Sequence, residues 1–513
     1  MKNYIIILCF GLALNTWGQI LNPQAKEITK KHFPEIEAEI PTPAFDKQKG
    51  FTKYDEMMSF LEPLVNQNSD QVKMTYIGKS QKGLKVPMLK FFEDNSKNKI
   101  KVWIQAGIHG DEPASTEGVL YLIHQLLENP EYASFSKYLE IAVVPMANVD
   151  GYNRQLRDAI NGLDLNRDQT KLNIKESLFL KQTFSDFNAD VALDFHEYRA
   201  FRRDFVHYAE YGITNPNDVM FLYSGNLNVP KNLRHYTEHN FVNEAKGFLG
   251  GKNLRTHDYF STSDCQGYMC FNLGSINSRS SATSYALANT ISTLVEVRGV
   301  ALGRTSFKRR TLSTFWTALS YLKSAVKYRD EIPDVIENAT ASKHDAVVQS
   351  ERKVSKQPIE LLDLAKNEIY EEEVILRNAL ESQPTLTRER PTAYILLPSE
   401  KEAIKRLKIL GLDIKELSEE TELEVQEYHI SDYRKSMHKY EGVKRQYVEA
   451  DLQTTKKVFP KGSYVVEMNQ RKANFAVETL EPEADNSFVS FSVIPTENQD
   501  ILPYYRYLKD KTF

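Results

Sequence analysis

The sequence has few cysteines, no marked excess of charge of one sign and no internal repeat. Three cysteines among 513 residues exclude a small scaffold built on disulfides; Cys265 and Cys270 either form one disulfide or remain two buried thiols. Lysine and arginine number 65 against 69 aspartate and glutamate residues, so the net charge is −4. This balance lacks the basic excess of a nucleic-acid-binding protein and is too mild for a disordered acidic chain. We therefore expect a folded chain of roughly two to four domains with no nucleic-acid partner.

Long apolar runs are also scarce, and only the amino terminus is apolar enough to enter a membrane. Lys2 is followed by an apolar run over residues 4–14 and then by small or polar residues up to Gly18. This order is typical of a secretory signal peptide, and the run is too short to span a bilayer comfortably. A buried amino-terminal helix is the alternative. We predict a signal peptide at residues 1–19, a secreted or periplasmic protein, and no membrane span after the signal is removed.

Apolar, β-rich runs alternate with helical patterns through the middle of the chain. We predict a closing helix at residues 314–328 and buried strands at residues 99–108, 139–149, 189–198 and 288–299. Strands that alternate with helices predict an α/β domain, in which a mostly parallel mixed sheet is flanked by helices.

Shifts in composition divide the rest of the chain. The polar, proline-dotted residues 20–50 are interpreted as a leader wrapped around the main domain, which spans residues 51–330. Residues 331–390 are charged and poor in aromatic residues, and we interpret them as a helical, polar connector. Apolar β-rich segments return over residues 391–513, so we expect a smaller β-rich accessory domain there.

Histidine followed three residues later by glutamate is a common zinc half-site, but here the pattern alone does not discriminate. Five of the eleven histidines have it: His32–Glu35, His109–Glu112, His207–Glu210, His235–Glu238 and His438–Glu441. The position of each pair relative to the predicted strands therefore decides which pair is a candidate for a zinc site.

Two histidines and one glutamate follow predicted strands of the main domain. His109 and Glu112 lie in GIHGDEPAS, directly after one strand, and His196 ends another in DFHEY. In a parallel sheet the carboxyl ends of the strands meet at one edge, where ligand sites form. Two histidines and a glutamate there are typical of catalytic zinc, with a fourth position open for water. The alternatives are a surface-loop His109 and an ordinary buried His196.

A carboxylate stands inside another apolar strand. Glu296 lies in TLVEVRG, where burial is costly unless the group is paired or functional. Burial would raise its pKa toward the range of a general base. Because alternate residues of a strand share a face, an ion pair between Glu296 and Arg298 is the alternative.

An arginine-rich loop follows the predicted strand at residues 139–149. It carries Arg157 and Arg167 together with Asp164 and Asn166. Guanidinium groups bind carboxylates and oxyanions, so this loop suits a ligand of that kind. A solvated loop held by salt bridges is the alternative.

Taken in order, GIHGDEP, RDAINGLDLNRD, DFHEY and LVEVRG resemble the motifs of the M14 zinc carboxypeptidases, over about residues 51–328. The resemblance implies a metallocarboxypeptidase that hydrolyses C-terminal residues from peptides and holds one Zn²⁺ per chain. The implied site residues are the zinc ligands His109, Glu112 and His196, Asp164 orienting His109, Arg157 polarising the scissile carbonyl, Asn166 and Arg167 binding the terminal carboxylate, and Glu296 as general base.

The sequence departs from the digestive members of that family in one motif. Asp111 stands where they have a basic residue, and HGDE is closer to the branches that act on cell-wall peptides or as amidohydrolases. Tyr285 and Tyr268 are the candidates for the family's substrate-covering tyrosine, neither at the usual distance from Glu296, and we take Tyr285 as the substrate-binding candidate.

Three other interpretations remain open. The segment HYTEH at residues 235–239 fits an inverted zinc-peptidase motif with Glu238 as base, or else a polar helix face. The site could instead deacylate N-acyl amino acids or cell-wall peptides with the same groups. A secreted binding protein that lost activity would be expected to lack a zinc ligand or the base.

Overall fold

The computed structural model describes residues 24–92 and 99–510. The predicted signal peptide at residues 1–19 lies outside the described residues. Within the described ranges, no helix combines the length and the apolar character that crossing a bilayer requires.

The first two-thirds of the described chain alternates between strands and helices. The strands are β1 (Val72–Lys79), β2 (Lys85–Phe91), β3 (Ile100–Ala106), β4 (Leu139–Val144), β5 (Val191–Tyr198), β6 (Ile213–Thr214), β7 (Val219–Leu222), β8 (Thr256–Asp258), β9 (Phe260–Cys265), β10 (Tyr268–Leu273) and β11 (Ile291–Arg298). The helices are α1 (Lys26–His32), α2 (Tyr54–Gln67), α3 (Pro113–Glu128), α4 (Pro130–Ala133), α5 (Val149–Arg154), α6 (Lys175–Phe187), α7 (Lys231–Thr237), α8 (Asn243–Gly250), α9 (Ser281–Leu287), α10 (Phe307–Lys327) and α11 (Ile332–Ala341).

The central sheet has eight strands in the order β1-β2-β4-β3-β5-β11-β7-β8. The inner strands β4, β3, β5 and β11 are parallel to one another, whereas β1–β2, β2–β4 and β11–β7 pair antiparallel. Strands β3 and β5 are buried along nearly their whole length because α3 and α10 pack over them. The predicted α/β fold with a mostly parallel mixed sheet is therefore confirmed.

The prediction of a helical connector at residues 331–390 is wrong over most of that range. After α11 the chain forms a long hairpin of β12 (Ala346–Asp363) and β13 (Glu368–Arg388). This hairpin joins a five-stranded sheet, β6-β12-β13-β10-β9, whose other strands belong to the first region. Leu361 and Leu376 are buried in a cluster with Phe271, while charged residues on the exposed face hid the β pattern.

The carboxyl-terminal region is β-rich, as predicted. Its elements are β14 (Ala393–Leu396), α12 (Lys401–Ile409), β15 (Lys415–Glu416), β16 (Thr421–Tyr440), β17 (Val443–Phe459), β18 (Tyr464–Glu467), α13 (Asn474–Leu480) and β19 (Ile501–Tyr507). The strands form a six-stranded sheet in the order β15-β18-β14-β19-β16-β17.

The carboxyl-terminal region contacts the central sheet region at both edges of the sheet. Near the amino ends of β5 and β11, Arg471 donates to the carbonyls of Ala189 and Ala288 at 2.6 and 3.2 Å. Near the carboxyl ends, Glu441 in the turn between β16 and β17 accepts from the backbone N–H of Asp164 at 3.1 Å. Buried residues of the two regions share one hydrophobic core, so this region is packed against the first without a separating linker.

A disulfide joins Cys265, the last residue of β9, and Cys270, the third residue of β10. The bond closes the short turn of that antiparallel hairpin. Of the two arrangements left open by the sequence, the structure has the disulfide.

Candidate active site

The site lies at the carboxyl ends of three neighbouring parallel strands. His109 follows β3, His196 stands near the end of β5, and Glu296 stands near the end of β11. His196 and Glu296 are paired in register across the two strands. Topology thus brings to one edge three residues that are up to 187 positions apart in sequence.

Glycines shape the turn that carries His109. Gly107 has a φ of +66°, a conformation that side chains disfavour. At Gly110 an added Cβ would lie 2.2 Å from the carbonyl carbon of Gly151. The turn can therefore pack directly on α5 and still point His109 into the sheet edge.

His109, Glu112 and His196 form a buried cluster whose potential ligand atoms lie within 4.8 Å of one another. The Nδ1 of His109 is 2.8 Å from one Glu112 oxygen, and the Nδ1 of His196 is 2.9 Å from the other. The two Nδ1 atoms are 3.0 Å apart. Each of the three residues is at most 2% exposed, so water does not screen this cluster.

A carboxylate holds the outer nitrogen of each histidine. The Nε2 of His109 is 3.0 Å from Asp164, and the Nε2 of His196 is 3.0 Å from Asp194. When each Nε2 donates its proton to that carboxylate, both Nδ1 lone pairs face inward. Such hydrogen bonds from metal-binding histidines to carboxylates are the usual arrangement around zinc.

The donor set fits a divalent zinc ion. Two imidazole nitrogens and a carboxylate converge in a buried space, where a proton or a metal cation has to lie between them to prevent repulsion. Two histidines and one glutamate also match the ligand number of catalytic zinc, which leaves one position open. The M14 family to which the motifs point is zinc-dependent, and this cluster is where the ion would be held.

The same charges shift the pKa values of the cluster. Burial lowers the pKa of His196, but Asp194 and Glu112 more than offset this and hold it well above its usual value. Burial raises the pKa of Glu112, whereas His109 and His196 lower it more strongly, to well below its usual range. The carboxylate is therefore ionised, as a metal ligand must be.

Glu296 forms no ion pair with Arg298. The guanidinium of Arg298 donates instead to Asn215, Gln24 and Thr214. One oxygen of Glu296 is buried without a hydrogen-bond partner among the described residues. Burial raises the pKa of Glu296 to about 7, with His196 opposing the shift. A carboxylate with this pKa can exchange protons near neutral pH.

The loop after β4 brings its arginines to the same edge. Arg157 donates to Asp164 at 2.9 Å and lies 3.5 Å from Glu112, so it borders the cluster directly. Among the described residues, Arg167 donates only to the backbone carbonyl of Asn166. The side-chain oxygen of Asn166 accepts from the N–H of Ser281 at 2.8 Å, and its amide nitrogen makes no hydrogen bond with the described residues.

A cavity of about 370 Å³ opens above these groups. Its lining includes His109, Glu112, Arg157, Asn166, Arg167 and Glu296. Six of the residues that the motifs single out therefore face one space large enough for the end of a peptide.

Comparison with known proteins bears directly on this geometry. Residues 57–205 match the family model described as zinc carboxypeptidase, peptidase M14, and this range contains the cluster and the arginine loop. This chain contains a zinc carboxypeptidase domain. The prediction of an enzyme, a zinc-family metallocarboxypeptidase, is therefore confirmed.

Named carboxypeptidases are similar over most of the chain. Carboxypeptidase 2 of Trichophyton rubrum is 29% identical over 478 residues, which cover 90% of this chain and 87% of that protein. Carboxypeptidase 2 of Trichophyton equinum is 28% identical, with 91% of this chain and 88% of that protein covered. Only about a tenth of this chain lies outside these alignments, so they include most of the carboxyl-terminal region as well as the zinc carboxypeptidase domain.

Solved structures are similar over a smaller part. Carboxypeptidase A from Helicoverpa armigera has a TM-score of 0.42 at 18% identity, over 56% of this chain and 78% of that chain. A metallo-carboxypeptidase from Burkholderia cenocepacia has a TM-score of 0.42 at 16% identity, over 54% of this chain and 70% of that chain.

Tyr285 does not belong to the site, so the prediction that it binds substrate is wrong. It is 2% exposed, its ring stacks on Phe184 at 4.0 Å, and its hydroxyl donates to Gln105. Tyr285 lies on α9 and packs among core residues, and it does not line the cavity. Tyr268, the other candidate, is 71% exposed on the β9–β10 hairpin and does not line the cavity either.

The segment HYTEH lies elsewhere in the carboxypeptidase. His235, Glu238 and His239 also place their ligand atoms within 4.8 Å of one another, but both histidines are exposed. They stand at the end of α7 and in the π-helical turn that follows, Glu238–Val242. None of the three lines the catalytic cavity.

Two residues of the site were not predicted from the sequence. Asp194 precedes His196 by two positions, so strand alternation puts both on one face, and the spacing Asp-x-His was the signal available. Tyr259 lines the cavity beside Glu296, and burial followed by the charge of Glu296 raises its pKa to about 12. No local pattern distinguishes Tyr259 from other tyrosines.

Proposed function

We propose that this enzyme is an exopeptidase that releases the C-terminal residue of peptides. The observation that carries the proposal is the cavity that His109 and Glu112 of the cluster line together with Glu296 and Arg167. A metal site alone serves many hydrolases, whereas Arg167 beside it, with no carboxylate partner in the described part of the chain, suits a substrate that ends in a carboxylate.

We propose His109, Glu112 and His196 as the residues that hold one zinc ion. Bound there, zinc supplies Lewis-acid chemistry that activates water and polarises a carbonyl group. Glu296 takes a proton from the attacking water on a carboxylate oxygen. It then delivers that proton to the nitrogen of the leaving amino acid. Its raised pKa suits both transfers at neutral pH.

The arginine loop binds and orients the substrate in this proposal. Arg157 stabilises the negative charge that develops on the scissile carbonyl oxygen, because its guanidinium stays charged beside Asp164 and Glu112. Arg167 and the free amide nitrogen of Asn166 bind the terminal carboxylate. Asp164 fixes the ring of His109 and the guanidinium of Arg157 together, through 3.0 and 2.9 Å contacts.

We also propose a secreted or periplasmic enzyme. The amino-terminal pattern of Lys2, an apolar run and small residues supports this. The disulfide between Cys265 and Cys270 is consistent with an oxidising compartment.

Mass spectrometry of peptide digests tests the proposal. An unblocked peptide should lose single residues from its carboxyl end, and the same peptide with a C-terminal amide should stay intact. Cleavage of the amidated peptide at internal bonds would overturn the exopeptidase assignment. Release of fatty or acetyl groups from N-acyl amino acids without loss of peptide residues would replace it with deacylation.

A further inference from the structure

More arginines line the catalytic cavity than the proposed reaction uses. The six are Arg157, Arg167, Arg199, Arg202, Arg279 and Arg352. The mechanism assigns Arg157 to the carbonyl oxygen and Arg167 to the terminal carboxylate. Four guanidinium groups therefore remain without a role, and they come from three separate parts of the chain.

Of the four carboxylates that line the cavity, Glu112 and Glu197 are held by other groups, and Asp111 and Glu296 are too few to balance six arginines. Glu112 is bound by the two histidines of the cluster, and Glu197 is held by both donors of the Arg310 fork. Arg202 lies 3.4 Å from Asp204 and donates to the backbone carbonyl of Thr262 at 3.1 Å. Arg167, Arg199, Arg279 and Arg352 form no ion pair with any residue in the described ranges.

Arg352 is the most informative of these arginines. It reaches the cavity from β12, in the hairpin beyond the segment that matches the family model. It is only partly exposed, and burial lowers its pKa, with the nearby positive charge of Arg377 adding to the effect. A partly buried cation next to a second cation is unfavourable unless an anion joins them.

Arg279 is a second partly buried cation at the cavity wall. Its guanidinium lies 5.0 Å from the centre of the Tyr440 ring, which the β16–β17 hairpin supplies. Burial lowers its pKa, and the nearby positive charge of Arg167 adds to the effect. The ring restrains the side chain without neutralising its charge.

The geometry points to a substrate with a second negative charge near its end, and we propose that the enzyme prefers peptides whose C-terminal residue is glutamate or aspartate. The side-chain carboxylate would be bound by Arg352 and its neighbours, and the main-chain carboxylate by Arg167. Leu222 and Leu294 in the same lining suit the methylene groups of such a side chain. This inference rests on the proposed exopeptidase function.

Paired dipeptide substrates test it. Benzoyl-Gly-Glu and benzoyl-Gly-Gln differ by one charge and almost nothing in shape, and benzoyl-Gly-Phe and benzoyl-Gly-Lys complete the series. We expect kcat/KM for the Glu substrate to exceed that for Gln at least tenfold. Equal or better hydrolysis of Gln, Phe or Lys would overturn the inference but leave the exopeptidase intact. Hydrolysis of none of the four would contradict the proposed function itself.

A substitution then assigns the preference to Arg352. Arg352→Gln should lower kcat/KM for the Glu substrate at least tenfold and change the Gln substrate less than twofold. Lys356→Gln removes one positive charge from the same strand outside the cavity and should change neither. An equal loss on both substrates in Arg352→Gln would mean that Arg352 only maintains the fold, which would contradict its role as a side-chain anchor.

Discussion

The described residues contain two clusters of the same composition, two histidines and one glutamate, in very different surroundings. His109, Glu112 and His196 come from two strand ends and are buried, each at most 2% exposed. His235 and His239 come from one helical segment and are exposed. In both clusters the potential ligand atoms lie within 4.8 Å of one another, so distance between ligands does not separate them.

The two clusters differ in the groups that contact their histidine rings from outside the cluster. The outer nitrogens of His109 and His196 meet Asp164 and Asp194, which fix the tautomer and direct both lone pairs inward. In the surface cluster the Nδ1 of His239 is instead 2.9 Å from the backbone carbonyl of His235. No hydrogen bond to an outer carboxylate holds either of its rings within the described ranges. A metal site is thus recognised by its second layer of contacts as much as by its ligands.

The largest effect should come from replacing the glutamate that belongs to the buried site. Glu296→Gln should lower kcat about 10²–10⁴-fold, because a glutamine cannot take a proton from water. Zinc content should be unchanged, since Glu296 is not a ligand. The matched change Glu238→Gln in the surface cluster should leave kcat at the wild-type value. Normal activity of Glu296→Gln would refute its role as base.

The next effect should come from the carboxylates behind the histidines. Asp164→Asn and Asp194→Asn should each weaken zinc binding about 10–100-fold, because the neutral amide holds the imidazole less firmly. Competition with a chromogenic chelator measures this directly. Asp330→Asn, on an exposed aspartate, is the control. Wild-type zinc affinity in both variants would show that the outer carboxylates do not distinguish the two clusters.

A smaller effect should come from Glu441, which reaches the site from the β16–β17 turn. Both Glu441 and Gly442 have positive φ, as a tight two-residue hairpin turn requires, so the turn presents the Glu441 carboxylate rigidly to the N–H of Asp164. Glu441→Ala should accelerate zinc loss to a chelator about threefold to tenfold, the equivalent of one hydrogen bond.

Glu441→Gln is the matched variant for that experiment. Its side-chain oxygen still accepts from the Asp164 N–H, so zinc loss should return to near the wild-type rate. If the glutamine variant behaves like the alanine variant, the hydrogen bond is not what couples the carboxyl-terminal region to the site.

Local sequence patterns predicted many of the site residues because each of the four motifs follows or ends a buried strand. Strand identity and sheet parallelism then placed His109, His196 and Glu296 at one edge. Glu296 and Arg298 share a strand face, yet the partners of Arg298 are distant in sequence, so the pattern could not exclude an ion pair between them.

Long-range contacts explain what sequence patterns did not predict. Arg352 and Glu441 reach the site from hairpins that start far beyond the family motifs, and no spacing rule connects them to His109. Tyr285 was taken as the substrate-binding candidate from the family resemblance alone, which does not give the direction of its side chain. The hairpin at residues 346–388 was taken for helix because its exposed face is charged and only its inner face is apolar.

Zinc content of the purified protein tests the central claim most directly, with wild type, His109→Ala and His239→Ala measured in parallel. We predict one zinc per chain in the wild type and in His239→Ala, and none in His109→Ala. Zinc that persists in His109→Ala and is lost in His239→Ala would contradict the account, because it would move the metal to the exposed cluster.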